Sequence, residues 1–304
     1  MALMDTYRLQ VFLECARLKN FSRAAEVLHI SQPSISLHIR DLEEWCGTDL
    51  FERRGRRVEL TEAGARLKEH AQRVLTSLDT ARQDVQEVLG LGRGRLAVGG
   101  SGLPGTYMLP KVLSMFKARY PKLEMYMKFG VSAQVEQLLQ EDSVELAMFS
   151  REPKLKGLVA EPYGASGMVI AAPAGHPLAQ KRKVTLKEVA SEPFVLREPE
   201  SAGGEIVRKY FSEHGLAINV AMELSSHEAI KVAVAEGLGV SAIARRWLLN
   251  EQALKQIAIL KVPEFKLQIH HRIVRREGRL LSRAAKTFLQ FLRDQKPAMS
   301  RLLE

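Results

Sequence analysis

The length and composition of the chain exclude several protein classes. Its 304 residues exceed one small module and fit two or three compact domains, and 46% hydrophobic with 26% charged residues is typical of a globular protein. No apolar run approaches the roughly 20 residues that span a bilayer, and the N-terminus lacks a basic stretch followed by an apolar one, so we expect a cytoplasmic protein without a membrane partner.

The formal net charge of +10 is not concentrated at the N-terminal end. Residues 1–92 contain 13 Lys and Arg against 14 Asp and Glu, whereas residues 93–304 contain 32 against 21. The N-terminal part instead has a local cluster around Gly55, formed by Arg53, Arg54, Arg56 and Arg57. Because salt screens charges beyond roughly 8 to 10 Å, such a cluster indicates nucleic-acid contact better than the bulk charge does.

Three short helices are predicted near the N-terminus. The first carries apolar residues at helical spacing from Leu9 to Ala16, and the second begins with Ser22 as its N-cap. The third begins with Ser31 as its N-cap and has Pro33 in its first turn, where the missing N–H does no harm. Two short helices joined by a tight turn, the second opening with small polar residues, form the arrangement that places a helix N-terminus in the major groove of DNA.

The third helix is predicted to read DNA, with a wing beside it. Gln32 suits an adenine edge, and a serine hydroxyl suits a base or a phosphate. Short strands at 50–51 and 58–60 flank the arginine cluster and predict a wing that reaches phosphates or a narrow minor groove. The predicted DNA-binding residues are Ser22, Ser31, Gln32, Pro33, Ser34, Ser36, Leu37, His38, Arg40, Arg53, Arg54, Arg56 and Arg57.

Residues 9–64 resemble the DNA-binding domain of LysR-type transcriptional regulators in order and spacing. The matching positions are Phe21, Ala24, Ala25, Leu28, Ser31 to Ser34, Ser36, Ile39, Leu42, Glu43, Leu50 to Arg53 and Leu60 to Gly64. Many family members have a basic residue where this chain has Leu37, which alters the base contacts to be expected. The resemblance implies a winged helix-turn-helix domain at 1–60 that binds double-stranded operator DNA.

A long linker helix is predicted over 61–92, starting after Thr61. Its apolar residues follow a 4-3-4-3 spacing that is typical of a coiled-coil seam: Leu67, Ala71, Val74, Leu78, Ala81, Val85 and Val88. A partner helix would bury this seam, and the alternative is packing against its own domain. LysR-type proteins dimerise through this helix, so the resemblance implies a homodimer that assembles into a homotetramer on an inverted-repeat operator.

From Arg95 onward, strand-like stretches alternate with helical ones, which predicts an α/β region with mostly parallel sheets. Strands are predicted at 95–99, 124–129, 145–149, 167–172, 194–197, 219–223, 240–244 and 267–274. Helices are predicted at about 105–119, 132–141, 203–214, 226–236 and 279–293. The family resemblance continues here more weakly, through motifs such as Gly175-His176-Pro177-Leu178 and Glu236-Gly237-Leu238-Gly239-Val240.

This weaker resemblance implies an effector-binding regulatory domain at 93–304 of the periplasmic-binding-protein type. Its subdomain I would comprise 93–163 and 268–296, its subdomain II 164–267, and a cleft would lie between them. The fold class expected for the whole chain is therefore α+β multidomain: an N-terminal winged helix-turn-helix, a long linker helix and a C-terminal α/β periplasmic-binding-protein-like domain of two subdomains.

Ligands of α/β sheets collect at the carboxyl ends of strands and at helix N-termini. This rule gives the candidate effector-binding residues Ser101, Gly102, Ser132, Phe149, Ser150, Arg197, Glu198, Ser201, Ser226 and His227. Ser132 is also expected to cap its helix. Several helix N-termini together with Arg197 favour an anion, such as a small carboxylate or oxoanion. The alternatives are that each serine is only an N-cap and that Arg197 pairs with a structural carboxylate.

Two segments, 194–201 and 223–240, also resemble the branch of the family that controls sulfur-assimilation and carbon-fixation operons. Members of that branch commonly follow the serine with Gly-Thr-Arg, whereas this chain has Ala202, Gly203 and Gly204. The departure weakens a direct transfer of that branch's oxoanion effector.

Other functions remain as alternatives. The sequence lacks a Gly-x-Ser-x-Gly elbow, a P-loop and His or Cys metal spacing, so we expect no catalytic residues, no metal, no cofactor and no enzymatic activity. His270 and His271 are interpreted as structural or surface residues. A redox sensor using Cys15 and Cys46, and an architectural DNA-binding protein that needs no ligand, are the remaining alternatives.

For the regulator, we expect effector binding to change the closure of the cleft, the packing of dimers and the bending of DNA. RNA polymerase is an expected partner if the protein is an activator.

Overall fold

The computed structural model describes residues 5–54, 57–88, 94–199 and 201–303. These residues form two compact units, and the main division falls between Gly94 and Arg95. Each unit has its own hydrophobic core. Within the described ranges, every helix is too short or too polar to traverse a lipid bilayer.

The N-terminal unit is a winged helix-turn-helix followed by a long helix. Its elements are α1 (Thr6–Leu18), α2 (Phe21–Leu28), α3 (Gln32–Cys46), β1 (Phe51–Arg54), β2 (Arg57–Leu60) and α4 (Glu62–Val88). Apolar residues at helical spacing bury one face of each of the first three helices, with Phe12, Ile35 and Leu42 fully covered. The three predicted helices and the wing are thus confirmed.

Side-chain caps set where these helices begin. Ser31 caps α3 as predicted, because its hydroxyl accepts a hydrogen bond from the Ser34 amide at 3.2 Å. The predicted cap of α2 is wrong: the Oδ1 of Asn20 accepts from the Arg23 amide at 3.0 Å, so the helix begins one residue before Ser22. Ser22 is consequently an exposed residue of the first turn.

The wing is anchored to the helices by aromatic and polar contacts. The ring of Phe51 lies 5.4 Å from that of Phe12 and 5.3 Å from that of Phe21. A carboxylate oxygen of Glu43 on α3 accepts a hydrogen bond from the Leu50 amide at 2.8 Å. These contacts fix the position of the wing relative to α3.

The apolar stripe of α4 divides into a buried and an exposed part. Ala71 is 1% exposed and packs with half-buried Leu67 in the core of the N-terminal unit, so these two predicted dimerisation residues are covered by their own chain. Further along, Val74, Leu78 and Val85 are 46%, 49% and 61% exposed. Ala81 is exposed too, and the side chain of Val88 lies outside the described residues.

The C-terminal unit alternates strands and helices. The strands are β3 (Arg95–Gly100), β4 (Glu124–Phe129), β5 (Leu146–Phe149), β6 (Leu158–Pro173), β7 (Pro193–Arg197), β8 (Asn219–Leu224), β9 (Ser241–Ala244), β10 (Ile257–Ile259) and β11 (Gln268–Arg276). The helices are α5 (Leu109–Arg119), α6 (Ser132–Gln140), α7 (Leu186–Ser191), α8 (Ala202–Glu213), α9 (His227–Ala235), α10 (Leu249–Ala253) and α11 (Arg283–Leu303). A π-helical turn at Pro104–Met108 and 3-10 turns at Pro177–Gln180 and Arg245–Leu248 complete it.

Most predicted elements agree with the structure to within a few residues. The exceptions are β6, which begins nine residues before the predicted start at 167, and α11, which begins later than 279 and continues to Leu303. The sequence analysis also missed α7, α10 and β10.

The main sheet is mixed, so the prediction of mostly parallel sheets is wrong. Its strand order is β10-β6-β11-β5-β3-β4, with β9 also paired to β6. Only β3 pairs in parallel, with β4 and β5, whereas β6 and β11 run antiparallel to each other and to their other neighbours. The strands β6 and β11 are neighbours in the sheet but are separated along the chain by β7 to β10 and α7 to α10, so the alternation of strands and helices in the sequence does not determine their relative direction. A separate parallel pair is formed by β7 and β8.

Candidate nucleic-acid interface and ligand cavity

The exposed face of α3 carries the predicted DNA-reading residues. Ile35 and Ile39 are buried against the unit's core, which turns Gln32, Ser36 and Leu37 outward. Leu37 is 48% exposed, an unusual position for a large apolar side chain on a helix with a polar face. The predicted residues that lie exposed on α3 or its cap are Ser31, Gln32, Pro33, Ser36, Leu37 and Arg40, and Ser34 and His38 are half-buried.

Hydrogen bonds order the start of α3. The Gln32 side-chain amide donates to the Ser36 hydroxyl at 2.9 Å, and the hydroxyls of Ser31 and Ser34 lie 2.8 Å apart. The first turn contains no acidic residue, so the positive end of the helix dipole is not neutralised there. This combination of exposed amides and small polar side chains suits a phosphate and the base edges beside it.

The wing carries the arginine cluster on an antiparallel hairpin. In its register, Arg53 pairs with Val58 and Arg54 with Arg57. Arg56 lies outside the described residues, as do the side chains of Arg53, Arg54 and Arg57. Their contact with DNA stays a prediction.

A cavity of about 510 Å³, hereafter the C-terminal cavity, lies within the C-terminal unit. It brings together eight of the ten residues predicted to bind an effector: Ser101, Gly102, Ser132, Ser150, Arg197, Ser201, Ser226 and His227. Phe149 is not among them, because all four residues of β5 are buried and its ring packs in the core. Glu198 does not line the cavity either, but its carboxylate accepts a hydrogen bond from the lining residue Arg197.

Strand ends and helix starts place these side chains. Ser150 follows β5 directly, and Arg197 is the last residue of β7. Ser201 caps α8 by accepting from the Gly204 amide at 2.9 Å, so the N-cap role that was the alternative for each serine applies to it in addition to its place in the cavity lining. The cap predicted for α6 is wrong, since Ser132 is its first helical residue and its buried hydroxyl pairs with that of Ser101 at 2.9 Å.

Several lining residues were missed in the sequence analysis. Phe129 and Gly130 lie at the carboxyl end of β4, and Ala244 and Trp247 lie at or just after the end of β9. The strand-end rule that identified Ser101 would have found all four if it had been applied to every predicted strand.

Arg197 is the only Lys or Arg among the described residues that line the C-terminal cavity. Its Nη1 donates to Nδ1 of His227 at 2.9 Å and its Nη2 donates to the Glu198 carboxylate at 2.7 Å, while Nε has no hydrogen-bond partner among the described residues. The guanidinium has only donors, so His227 must accept at Nδ1 and carry its proton on Nε2. The imidazole also stacks on Trp247, with ring centroids 4.2 Å apart.

Burial, together with the smaller effect of the positive charges of Arg197 and Lys231, lowers the pKa of His227 to about 3. In the unfolded chain this group has a pKa of about 6.5, so below that pH the unfolded state takes up a proton that the folded state refuses. The free energy of unfolding therefore falls as the pH drops from about 6.5 towards 3.

We predict that between pH 7.0 and pH 5.5 the C-terminal unit loses about 1 kcal/mol of stability through His227. Urea unfolding of the wild type, His227→Gln and the exposed-residue control His214→Gln measures the loss. The Gln variant at position 227 is expected to show a shallower pH dependence than the other two proteins. Three equal slopes would contradict the assignment.

Two adjacent glycines at the start of α8 make a matched test of how closely the helix approaches β7. A Cβ on Gly204 would lie 2.4 Å from the carbonyl oxygen of Glu198 and 2.6 Å from that of Arg197, whereas on Gly203 the nearest atom would be 3.9 Å away. Only Gly204 lets the helix N-terminus reach the strand end.

Gly204→Ala is expected to destabilise the protein by about 2 to 3 kcal/mol, because backbone atoms must shift. Gly203→Ala is expected to stabilise it by about 0.5 to 1 kcal/mol, since alanine has the higher helix propensity. Thermal unfolding of both variants compares them directly, and equal effects would refute the close approach.

The two cysteines do not suit a redox switch. Cys15 is fully buried and burial raises its pKa to about 12, while burial also raises the pKa of Cys46. Both are free thiols. Because the thiolate is the reactive form, neither residue is activated.

In the parts of the chain that the structure describes, no group of three or more His, Cys, Asp or Glu is placed to hold a metal ion.

Comparison with known proteins relates both units to one family. The family model described as bacterial regulatory helix-turn-helix protein, lysR family, matches residues 7–65, and that of the LysR substrate binding domain matches residues 89–297. The first match covers α1 to β2, and the second covers the strands and helices around the C-terminal cavity.

Relatives align along nearly the whole chain. The chain is 32% identical over 294 residues to the HTH-type transcriptional activator CmpR of Synechocystis sp., covering 97% of this chain and 96% of that protein. It is also 32% identical over 292 residues to the RuBisCO operon transcriptional regulator of Allochromatium vinosum, covering 96% of each.

A solved relative matches the C-terminal unit. The regulatory domain of Synechocystis PCC6803 CcmR, in complex with 2-PG, superimposes with a TM-score of 0.62 at 30% identity, and covers 68% of this chain and 99% of that domain.

Proposed function

Because the chain belongs to the LysR family of DNA-binding transcriptional regulators, which have an effector-binding domain, we propose that its effector is a small anion bound in the C-terminal cavity. The observation that carries the proposal is the guanidinium of Arg197, the single permanent cation among the described residues of a cavity that several serines also line. A bound anion would replace Glu198 and His227 as the acceptor of the hydrogen bonds that Arg197 donates. The N-termini of α8 and α9, which begin directly after Ser201 and Ser226, add the positive ends of two helix dipoles.

The class of anion follows from the lining. Many hydroxyl donors and one cation suit a molecule with oxyanion groups at two ends, and about 510 Å³ accommodates a compact acid. The CcmR domain contains 2-PG, which is 2-phosphoglycolate, and this molecule has a phosphate and a carboxylate. We propose a phosphorylated or otherwise doubly anionic small carboxylic acid as the effector.

The remaining parts of the proposal concern assembly and DNA. The domain boundaries are those predicted above, and the exposed stripe of α4 from Val74 to Val85 is the proposed dimer seam. Dimers assemble into a homotetramer, the first turn of α3 reads bases, and the wing arginines contact the backbone. The protein acts in the cytoplasm on chromosomal DNA, recruits RNA polymerase where it activates, and is not an enzyme.

A DNA-binding titration of the full chain tests the proposal. The probe is the promoter fragment upstream of the protein's own gene, titrated at several salt concentrations with and without 2-phosphoglycolate, glycolate or inorganic phosphate. We expect sequence-selective DNA binding that 2-phosphoglycolate alters more than glycolate or inorganic phosphate does. The double substitution Arg54→Ala and Arg56→Ala is expected to weaken this binding. Selective binding that no small anion changes would favour the ligand-independent architectural role.

A further inference from the structure

His271 on β11 contacts two serines from different parts of the C-terminal unit. It is fully buried and lies where the β6–β11 register shifts. Its Nδ1 is 2.9 Å from the hydroxyl of Ser150 and its Nε2 is 2.7 Å from that of Ser166. Ser150 lines the C-terminal cavity, whereas Ser166 is 1% exposed and does not. The imidazole of His271 thus connects the cavity-lining Ser150 to the buried hydroxyl of Ser166, which does not line the cavity.

The direction of these two hydrogen bonds follows from the proton count. Burial, together with the smaller effect of the neighbouring His270, lowers the pKa of His271 to about 4, so the ring is neutral at neutral pH and has one N–H and one lone pair. In the described parts of the chain, His271 is the only hydrogen-bond partner of the Ser166 side chain. A buried hydroxyl proton without an acceptor is costly, so Ser166 donates to Nε2.

The other ring nitrogen must then carry the proton. Nδ1–H donates to the Ser150 oxygen, which leaves the Ser150 hydroxyl proton without an acceptor among the residues that the structure describes. That proton is available to an oxygen atom in the cavity. The opposite tautomer would direct the Ser150 proton at His271, and the serine would then offer a ligand only lone pairs, which repel an anion.

We propose that His271 and Ser166 are positioning residues that fix the Ser150 hydroxyl as a hydrogen-bond donor to the bound anion. This inference rests on the proposed function of the C-terminal cavity. It assigns a role to two residues that do not line the cavity, and it explains a histidine with hydroxyl partners on both ring nitrogens. Ser166 acts only through His271, and His271 only through Ser150.

A double-mutant cycle on the full chain tests this dependence. Calorimetric titration with 2-phosphoglycolate compares the wild type, Ser150→Ala, Ser166→Ala and the double variant. We expect each single variant to weaken binding by about fivefold, the effect of one typical hydrogen bond, and the double variant to bind no more weakly than Ser150→Ala. A double variant weakened by the product of the two single effects would overturn the proposal, because independent contributions multiply.

The tautomer of His271 gives a second readout that needs no ligand. Nitrogen-15 spectra of the full chain with labelled histidines identify the protonated ring nitrogen, and His271→Gln assigns the signal by its loss. We expect a proton on Nδ1 in the wild type, and a proton on Nε2 would overturn the proposal. If 2-phosphoglycolate fails to bind the wild type, the proposed effector is wrong, and the tautomer alone decides the role of His271.

Discussion

Replacing Leu78 by Asp is expected to abolish dimerisation through α4 and to weaken operator binding by at least about 100-fold. Leu78 is at the centre of the exposed stripe, between Val74 and Val85, and is 49% exposed. A carboxylate at this position would have to be buried unpaired in a helix seam, which is strongly unfavourable. A regulator reduced to one DNA-binding unit loses the gain in avidity from two linked half-sites.

Sedimentation velocity and a DNA titration at fixed salt measure the two effects. Thr80→Asp, two positions further along the sequence and outside its 4-3 apolar spacing, is the matched control and is expected to leave both quantities unchanged. Since Ala71 and not Leu78 packs in the core of the N-terminal unit, Leu78→Asp should also leave the unfolding temperature of that unit unaltered. A Leu78→Asp protein that stays dimeric with full operator affinity would place the dimer interface elsewhere.

Removing the guanidinium of Arg197 is expected to reduce the affinity for an anionic effector by about 100-fold, which corresponds to the loss of a hydrogen-bonded charge partner in a secluded site. In Arg197→Ala the cavity loses its only permanent cation among the described lining residues, and the Glu198 carboxylate loses the donor at 2.7 Å. The uncompensated negative charge of Glu198 then repels the ligand as well.

Lys209→Ala is the control for Arg197→Ala, because Lys209 is an exposed cation on α8 outside the cavity. Both variants are tested by titration with 2-phosphoglycolate and by binding to the operator fragment without effector. We expect only Arg197→Ala to lose the ligand, and both to keep the basal affinity for DNA. An unchanged ligand response in Arg197→Ala would exclude its role as the anion-binding cation.

The family, the winged helix-turn-helix and the approximate location of the cavity could be predicted from the sequence, because their signals are local. Ser31 as an N-cap and Pro33 in the first turn determine where α3 begins regardless of distant contacts. Serines and an arginine directly after predicted strands identified most of the polar lining. Comparison with known proteins confirms the resemblance that residues 9–64 suggested.

The errors concern features that depend on tertiary pairing. Pro162 and Gly164 indicate a turn, yet both lie inside β6, where pairing with β11 overrides their weak strand propensity. Phe149 and Ser150 are neighbours at a strand end, and only packing decides that the first faces the core and the second the cavity. The same holds for Ala71, since a heptad pattern does not reveal which helix, its own or a partner's, covers each position.

The placement of the polar lining also bears on how such a protein changes over evolutionary time. Ser132, Ser201 and Ser226 lie at the starts of three helices and not within the sheet. Exchanging one of these side chains for another small polar residue alters the pattern of donors offered to a ligand, while the sheet and its core keep every contact. New chemical specificity is therefore accessible through single substitutions that leave the scaffold folded, and a duplicated copy of the gene could acquire a different signal without first losing stability.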